Sequence, residues 1–449
     1  MHSIVRSSSL LIALLALVVV AAACGEEDST GGSNNVGNNG NNGNNGADDG
    51  LLSSSKQRIT APDADPTELA TLTLDNRAFA LDLYQLKRSD PGNLFYSPHS
   101  ISIALAMTWG GARGETADQM AETMHYTLGA ERLHTSFNAL DLALSSRGED
   151  VQLDEGEEGD PFRLSIVNAI WGQRDYTFLE SYLDLLALNY GAGLRPLDFA
   201  ADPDGSRQTI NTWVEDQTED RIKDLLPEGS IDGNTRLVLT NAVYFKASWL
   251  NAFEVSLTRD GEFTRPDGTT TTAPFMHQQE SLAYGSGEGW AAVELPYVGR
   301  ELSMVVILPD AGSFDTFEAG LDVETLDGII DGLSETQVAV ALPKFTFEYD
   351  LPLNQPLMDL GMTAAFGGDA DFSGINGVGG LQITDVLHKA FVAVDEKGTE
   401  AAAATAVVVG ETSVGPDPVV FSADRPFIFL VRDLETGAII FLGRVVDPG

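Results

Sequence analysis

The stretch from Arg236 to Phe245 constrains the fold more than any other part of the sequence. Its alternating residues form two sets, one for each face of a strand, and both sets are largely apolar. The first set is Leu237, Leu239, Val243 and Phe245, and the second is Val238, Ala242 and Tyr244. A strand that is apolar on both faces has to be covered on both, so we predict a central strand in a layered α+β fold.

Helical and strand patterns mix from about Thr67 to Val446 without a linker-like break, and 43% of the chain is hydrophobic. We therefore predict one large domain and place it at residues 61–449. Short apolar runs predict its further strands. These are expected around Ala292–Leu295, Ser303–Leu308, Gln337–Leu342, Phe427–Val431 and Ile439–Val445.

Helices are predicted from apolar spacing and from capping residues. Leu72, Phe79, Leu83 and Leu86 share one face of a first helix. Thr116–Gln119 has the form of a capping box, which places a helix start there. Ser206 is predicted to cap a later helix, because a serine side chain accepts from the free N–H groups of a first turn.

The chain is strongly acidic, with a formal net charge of −41. Polyanions are bound through clustered Lys and Arg, so neither a nucleic acid nor a glycosaminoglycan is an expected partner. The acid-rich stretch from Glu149 to Asp160 is interpreted as a solvated loop, because it lacks histidines and a calcium-loop pattern. No metal and no cofactor is expected.

The first 23 residues have the pattern of a signal peptide. Arg6 gives a positive start, and Leu10–Val20 is an apolar run too short for a mature membrane-spanning helix. Three alanines then precede Cys24, which resembles a bacterial lipoprotein signal that is cut before an acylated cysteine. Residues 24–60 are predicted to be a flexible linker, because the Gly/Asn tract from Gly31 to Gly46 cannot bury a core.

Cys24 is the only cysteine in the chain, so no intrachain disulfide explains its presence. The alternative is ordinary secretion, in which Cys24 has no role. On the lipoprotein interpretation the protein is exported and held to a membrane by its N-terminal lipid. The surface of the cell and the periplasmic face are both open, with the outer membrane as one candidate.

The segment from Val392 to Gly410 is the most unusual one. Four alanines follow Glu400, and an alanine run is usually helical. Interpreted as a strand, however, it has one face with only small, uncharged side chains. That face consists of Thr399, Ala401, Ala403, Thr405, Val407 and Val409. The charge of Glu400 lies on the other face, so such a strand can be buried late in a sheet without burying a charge.

The residues from Glu396 to Thr405 also resemble the hinge of the reactive-centre loop in inhibitory serpins. Six further stretches are similar to that family in order and spacing. They are Ser97-Pro98-His99-Ser100, Asn241 to Trp249, Leu342-Pro343-Lys344-Phe345, Asp371 to Ile375, His388-Lys389-Ala390 and Asp424 to Phe427. The resemblance covers about residues 67 to 448, which is the whole body of the chain.

The resemblance implies three β-sheets, about eight to nine helices and an exposed reactive-centre loop. It implies a monomer that is not an enzyme but a suicide inhibitor. A serine-type protease cuts the loop and forms a covalent acyl complex with it, and the cleaved loop then inserts into sheet A. It also implies three groups of site residues. They are the shutter (Ser97, Ser100, Asn241, His388), the breach (Trp249, Lys344) and the hinge (Glu396, Gly398, Thr399, Ala401, Ala403, Thr405).

In inhibitory serpins the residue before the cut usually lies sixteen positions after the hinge glutamate. Counted from Glu396, the bond is Thr412–Ser413. A small β-branched residue suits the shallow apolar pocket of elastase-like or subtilisin-like enzymes better than that of trypsin-like ones. Val409, Glu411 and Gly415 remain alternatives for the residue before the cut.

Two other functions remain open on the sequence. One is a non-inhibitory serpin, whose hinge usually carries charged, bulky or proline residues that are absent from the inserting face between Thr399 and Thr405. The other is a surface adhesin or ligand-binding lipoprotein with the same tether. A hydrolase is not supported, because the sequence has no Gly-x-Ser-x-Gly elbow, P-loop or dinucleotide fingerprint.

Overall fold

The computed structural model describes residues 51–148, 163–399 and 417–449. These ranges hold ten α-helices. They are α1 Pro66–Lys87, α2 Pro98–Trp109, α3 Gly114–Thr123, α4 Ala130–Ser146, α5 Glu180–Tyr190, α6 Pro203–Gln217, α7 Phe314–Ala319, α8 Val323–Asp331, α9 Asn354–Asp359 and α10 Ser373–Asn376. The count exceeds the expected eight to nine because α7, α9 and α10 have only six, six and four residues.

The same ranges hold fifteen strands. They are β1 Leu94–Tyr96, β2 Arg163–Gln173, β3 Leu194–Leu197, β4 Leu237–Ser248, β5 Arg259–Thr264, β6 Thr270–Gly287, β7 Trp290–Pro296, β8 Leu302–Pro309, β9 Ser334–Pro343, β10 Phe345–Pro352, β11 Asp385–Asp395, β12 Gly398–Thr399, β13 Val419–Ser422, β14 Phe427–Asp433 and β15 Ile439–Val445. All five further strands predicted from apolar runs are present, as β7, β8, β9, β14 and β15.

The described strands form two hydrogen-bonded sheets where three were expected. The six-stranded sheet has the order β10-β11-β12-β4-β2-β3, and the other follows β1-β15-β14-β8-β7-β6-β9-β13 with β5 paired to β6. The difference comes from β6, which is 18 residues long. It pairs with β5, β9 and β7 in turn, so one continuous strand joins what we expected to be two sheets.

Strand β4 occupies the central position that the two apolar faces predicted. It pairs with β2 on one side and with β11 on the other. Leu239 and Val243 belong to the main core, whereas Val238 and Ala242 lie on the opposite face, in two small clusters under α6. Helix α6 contributes Ile210 to one of these clusters, so both faces of β4 are covered.

Two of the predicted helix starts were wrong in detail. Thr116 lies inside α3, whose N-cap is Arg113, and Ser206 lies inside α6, whose N-cap is Asp202. The side chain of Gln119 does not close a capping box but accepts from backbone N–H groups of a neighbouring loop. The same residue types that cap helices also bond to distant loops, and local spacing alone does not separate the two.

Residues 51–59, at the end of the predicted linker, are bonded to the body and are called the N-terminal strap. Leu52 exchanges two backbone hydrogen bonds of 2.8 and 2.9 Å with Leu194 of β3. Arg58 forms an ion pair of 2.6 Å with Asp141 of α4. Within the described ranges, no helix is long and apolar enough to cross a membrane.

Candidate functional site

A row of polar side chains crosses the middle of the six-stranded sheet. The register places Asn168 of β2 opposite Asn241 of β4, and Asn241 opposite His388 of β11. The amide oxygen of Asn241 accepts from Nδ1 of His388, and its amide nitrogen donates to Asn168 and to Ser100. Ser97 donates its backbone N–H to Nε2 of His388 over 3.1 Å. The structure thus brings together all four residues assigned to the shutter and adds Asn168.

The two serines are in place because of helix α2. Ser97 is the N-cap of this helix, and its hydroxyl accepts from the backbone N–H of Ser100 over 3.2 Å. Pro98 follows at the first helical position, where its missing N–H costs nothing. The local sequence therefore fixes the start of α2 against the back of the sheet, with both serines fully buried.

The contacts of His388 define its protonation state. The Ser97 N–H can donate only to an unprotonated Nε2, so Nδ1 carries the proton and donates to Asn241. Burial lowers the pKa of His388 to about 3. The ring is therefore neutral, and the link between β4 and β11 consists of neutral hydrogen bonds.

Acid is expected to destabilise this arrangement. The folded pKa of His388 lies below the ordinary value of about 6.5, so the folded state binds fewer protons than the unfolded state. The contribution of neutral His388 to the free energy of unfolding is complete above pH about 6.5 and is lost as the pH falls toward about 3. Between pH 6.5 and 4 the free energy of unfolding should fall by up to about 1.4 kcal/mol per pH unit from this residue.

The measurement is urea unfolding of the wild type and of His388→Gln at pH 7, 6 and 5. Glutamine keeps a donor and an acceptor but does not titrate, so its stability should decline less steeply. Other groups titrate in this window: burial lowers the pKa of His99 and His134 to about 4 and raises that of Asp385 to about 6. Their effects cancel in the comparison of the two proteins. Parallel pH profiles would contradict the assignment.

Strands β4 and β11 are paired directly only along their N-terminal halves, and we call this paired part the seam. The parallel pairs run from Asp385 with Val238 to Ala390 with Val243. Beyond them the two strands separate, and β12 lies between them. Thr399 of β12 is paired with Val394 on one side and with Ala247 on the other. The sheet is therefore already opened at one end by a two-residue strand.

The turn that leads into β12 is held by Glu396. Its carboxylate accepts from Nζ of Lys344 over 2.7 Å and from the hydroxyl of Thr258 over 2.8 Å. Burial alone would raise the pKa of Glu396, but these hydrogen bonds hold the pKa below its usual value. The backbone carbonyl of Glu396 also accepts from Phe253. The hinge glutamate and the breach lysine are thus in direct contact.

Gly398 is required by the close approach of two backbones. A Cβ atom at this position would overlap the carbonyl oxygen of Ala247 and would crowd the Cα of Ser248. Its φ of 156° lies in a region that other residues rarely adopt. Any side chain here would push β12 out of the sheet.

Trp249 and Thr399 are connected through a third residue, Tyr297. The rings of Trp249 and Tyr297 are stacked at 4.6 Å, with an interplanar angle of 9°. The hydroxyls of Tyr297 and Thr399 are hydrogen-bonded over 2.8 Å. Trp249 also donates its indole N–H to the carbonyl of Asp395 over 3.0 Å. The side chain of Thr399 therefore points into a buried aromatic contact, not toward solvent.

Comparison with known proteins decides the family of this chain. Residues 74–448 match the family described as Serpin (serine protease inhibitor). The chain belongs to the serpin family. An uncharacterized serpin-like protein of Thermococcus kodakarensis is 43% identical over 375 residues, which cover 83% of this chain and 84% of that protein. Human leukocyte elastase inhibitor is 38% identical over 389 residues, with 84% and 99% covered.

Solved structures agree with this fold. Native tengpin, described as a thermophilic serpin, matches this serpin with a TM-score of 0.75 and 30% identity, over 88% of this chain and 97% of tengpin. The fold predicted from the resemblance, a mixed α+β serpin fold, is thereby confirmed. Members of the family are typically protease inhibitors rather than catalysts, and relatives of this serpin include named inhibitors.

Three residues of the site in this serpin were not predicted from the sequence: Asn168, Tyr297 and Thr258, which donates to Glu396. Asn168 had a detectable signal, because Asn168-Ala-Ile-Trp171 repeats the pattern of Asn241-Ala-Val-Tyr244 on the neighbouring strand. Tyr297 had none, since its backbone bridge to Trp249 and the stacking of their rings join two distant parts of the chain.

Several predicted site residues of the serpin lie outside the described residues. They are Cys24, Ala401, Ala403, Thr405, Thr412 and Ser413, together with the acid-rich stretch from Glu149 to Asp160. In the ranges that are described, no group of three His, Cys, Asp or Glu side chains is placed to hold a metal ion.

Proposed function

We propose that this serpin inhibits a serine-type protease by inserting its cleaved reactive-centre loop between β4 and β11. The observation that carries the proposal is β12, which already lies between these two strands. The protease serine would attack the carbonyl of the residue before the cut, the peptide bond would break, and the new amine would take the proton. The ester that remains holds the protease to the loop as it inserts.

The orientation of Thr399 supports this route. Its side chain points into the protein and is 2% exposed. Because side chains alternate along a strand, Ala401, Ala403 and Thr405 would point the same way on insertion. These are the small, uncharged residues that a late-filled interior tolerates.

The polar row at the seam supports it as well. Insertion has to separate His388 from Asn241, and both belong to a network of neutral hydrogen bonds. Breaking neutral bonds costs less than separating a buried ion pair, which would leave two uncompensated charges. We therefore propose that Ser97, Ser100, Asn241 and His388 act as a shutter, with Asn168 as a fifth member.

The proposed target is an elastase-like or subtilisin-like enzyme, cut at Thr412–Ser413. Incubation with pancreatic elastase or subtilisin is expected to give a complex that survives SDS and boiling. Mass spectrometry of the released C-terminal fragment should find a new N-terminus at Ser413. A fragment beginning outside the range from Val408 to Pro416 would refute the position, and cleavage without any stable complex would refute inhibition.

We further propose that the mature chain is anchored by lipid on Cys24 and is exported to the cell surface or the periplasmic face. Cys24→Ser is expected to abolish both partition into detergent and uptake of labelled palmitate, because the acylated thiol is gone. Triton X-114 fractionation of cells that express either form is the measurement. A variant that fractionates like the wild type would show that secretion, not acylation, is the role of this segment.

The protein is proposed to act as a monomer without a cofactor and without enzymatic activity. A non-inhibitory serpin or an adhesive lipoprotein would also be exported, but neither would form the covalent complex. The SDS gel described above therefore separates inhibition from both alternatives. The fold carries its own stability, since the chain has no pair of cysteines to form a disulfide.

A further inference from the structure

The point at which the N-terminal chain joins the body is defined by the strap. Leu52 pairs with Leu194, the first residue of β3. In the register of the sheet, Leu194 is opposite Ile170 of β2, and Ile170 is opposite Leu239 of β4. The strap thus joins the outer edge of the six-stranded sheet at the level of Leu239, near the start of β4.

Further bonds fix this attachment point. Lys56 forms an ion pair of 2.6 Å with Asp184 of α5, and Arg58 bonds to Asn138 and Asp141 of α4. The backbone N–H of Ile59 donates to Leu188 over 2.9 Å. The strap is therefore tied to an edge strand and to two helices along its length, so the chain leaves the body at one defined place.

The loop hinge lies at the opposite end of the same sheet. Thr399 is paired with Ala247, which is eight residues beyond Leu239 along β4. At a rise of about 3.3 Å per residue, the two levels are about 26 Å apart along the strand. The uncut loop and the N-terminal chain therefore leave the sheet at opposite ends.

Insertion would reverse this separation. β12 runs antiparallel to β4, so each added residue moves one position toward the start of β4. If the register continues, Val407 comes to lie opposite Leu239, and Thr412 is five residues farther on. The end of the loop that carries the protease would then arrive at the end of the sheet where the strap leaves.

We propose that the segment between Cys24 and the strap is a spacer that makes room for the trapped protease between the body and the membrane. This inference rests on the proposed inhibitory function and on the proposed lipid anchor at Cys24. A short tether would serve to hold the uncut protein, because Thr399, the last described residue before the loop, lies at the far end of the sheet. Only the final, inserted complex brings a second globular protein to the tethered end.

The lengths agree with this role. A protease domain of about 230 residues has a radius of gyration of about 17 Å and is about 45 Å across. The 27 residues from Cys24 to Gly50 can span at most about 90 Å, which exceeds the width of the protease. Removing Gly31 to Gly46 leaves 11 residues, which extend to about 38 Å at most and cannot clear the protease.

The test uses the mature chain from Cys24 onward, made without lipid. Because Cys24 is the only cysteine, its thiol can be coupled to vesicles that carry a maleimide phospholipid, whether or not the native protein is acylated. Three forms are compared, coupled and uncoupled: the full spacer, the deletion of residues 31–46, and the deletion refilled with 16 residues of Gly and Ser. Pancreatic elastase and subtilisin are the probes.

The readouts are the stoichiometry of inhibition and the rate constant of association. For the coupled deletion we expect the stoichiometry to rise at least threefold, with the association rate changed less than twofold. The uncoupled deletion and the coupled Gly/Ser form should behave like the full spacer. Equal stoichiometries for the coupled deletion and the coupled full spacer would overturn the inference. If the uncoupled full-length chain traps neither protease, the proposed function itself fails, and the spacer inference falls with it.

Discussion

Replacing Thr399 with arginine is expected to turn the serpin from an inhibitor into a substrate. Thr399 is 2% exposed and is hydrogen-bonded to Tyr297, whose ring is fully buried against Trp249. A guanidinium at this position would face two aromatic rings in the interior. An unpaired buried charge costs on the order of several kcal/mol, so β12 would leave the sheet in the intact protein. After cleavage, insertion would have to bury the guanidinium again and would therefore be slower.

The expected change is large because inhibition is a competition between two rates. Insertion has to finish before water hydrolyses the ester, and trapping is therefore kinetic. A cost of about 3 kcal/mol at the first inserted residue would slow insertion by about two orders of magnitude if it is fully felt in the transition state. The stoichiometry of inhibition should rise from near one to above ten. Titration of active elastase or subtilisin, with SDS gels, measures it.

Two matched variants control for the substitution. Thr399→Val keeps the shape of the side chain and loses only the hydroxyl, so trapping should persist with a modest loss of stability of about 1–3 kcal/mol from the unpaired Tyr297. Glu400→Arg places the same charge on the predicted opposite face and should also trap. Efficient trapping by Thr399→Arg, with the loop cut at the same bond, would refute insertion along the β12 register.

The central strand β4 could be predicted from the sequence because a strand that is buried on both faces has apolar residues at successive positions. The first apolar set of β4 lies in the main core, and Val238 and Ala242 of the second set lie in two small clusters on the other face. The end of the linker was not predictable in the same way. Residues 51–59 look like a polar tail, yet Arg58 is bound to Asp141 of a helix more than eighty residues away. Such pairing has no local pattern.

The site residues also fall into those that a local sequence motif predicts and those that only the tertiary structure brings together. Ser97, Asn241 and His388 were found because each belongs to a short segment with family character, and the register then places them together. Tyr297 was missed because its role arises from the packing of one sheet against another. Contacts between elements depend on tertiary geometry, and neither spacing nor propensity carries that information.

The loop-cleaved protein is expected to be much more heat-stable than the intact protein. In the intact form the seam has one parallel ladder, from Asp385 with Val238 to Ala390 with Val243. Insertion would replace it with two antiparallel ladders and would bury the face that runs from Ala401 to Val409. With about 1.5 kcal/mol for each buried valine side chain and smaller terms from alanines and added hydrogen bonds, the gain is on the order of 10 kcal/mol.

For a body of this size, that gain corresponds to a rise in Tm of at least about 10 °C. Scanning calorimetry of the intact protein and of protein cut in the loop by a non-target protease measures the difference. The cleaved form of Thr399→Arg is the matched control: the same bond is broken, but the buried guanidinium subtracts about 3 kcal/mol from the gain, so its Tm should rise by less than that of the cleaved wild type. If the intact and cleaved wild type melt together, the loop does not insert. The chain would then be a serpin of the non-inhibitory kind, with β12 as a fixed part of the sheet.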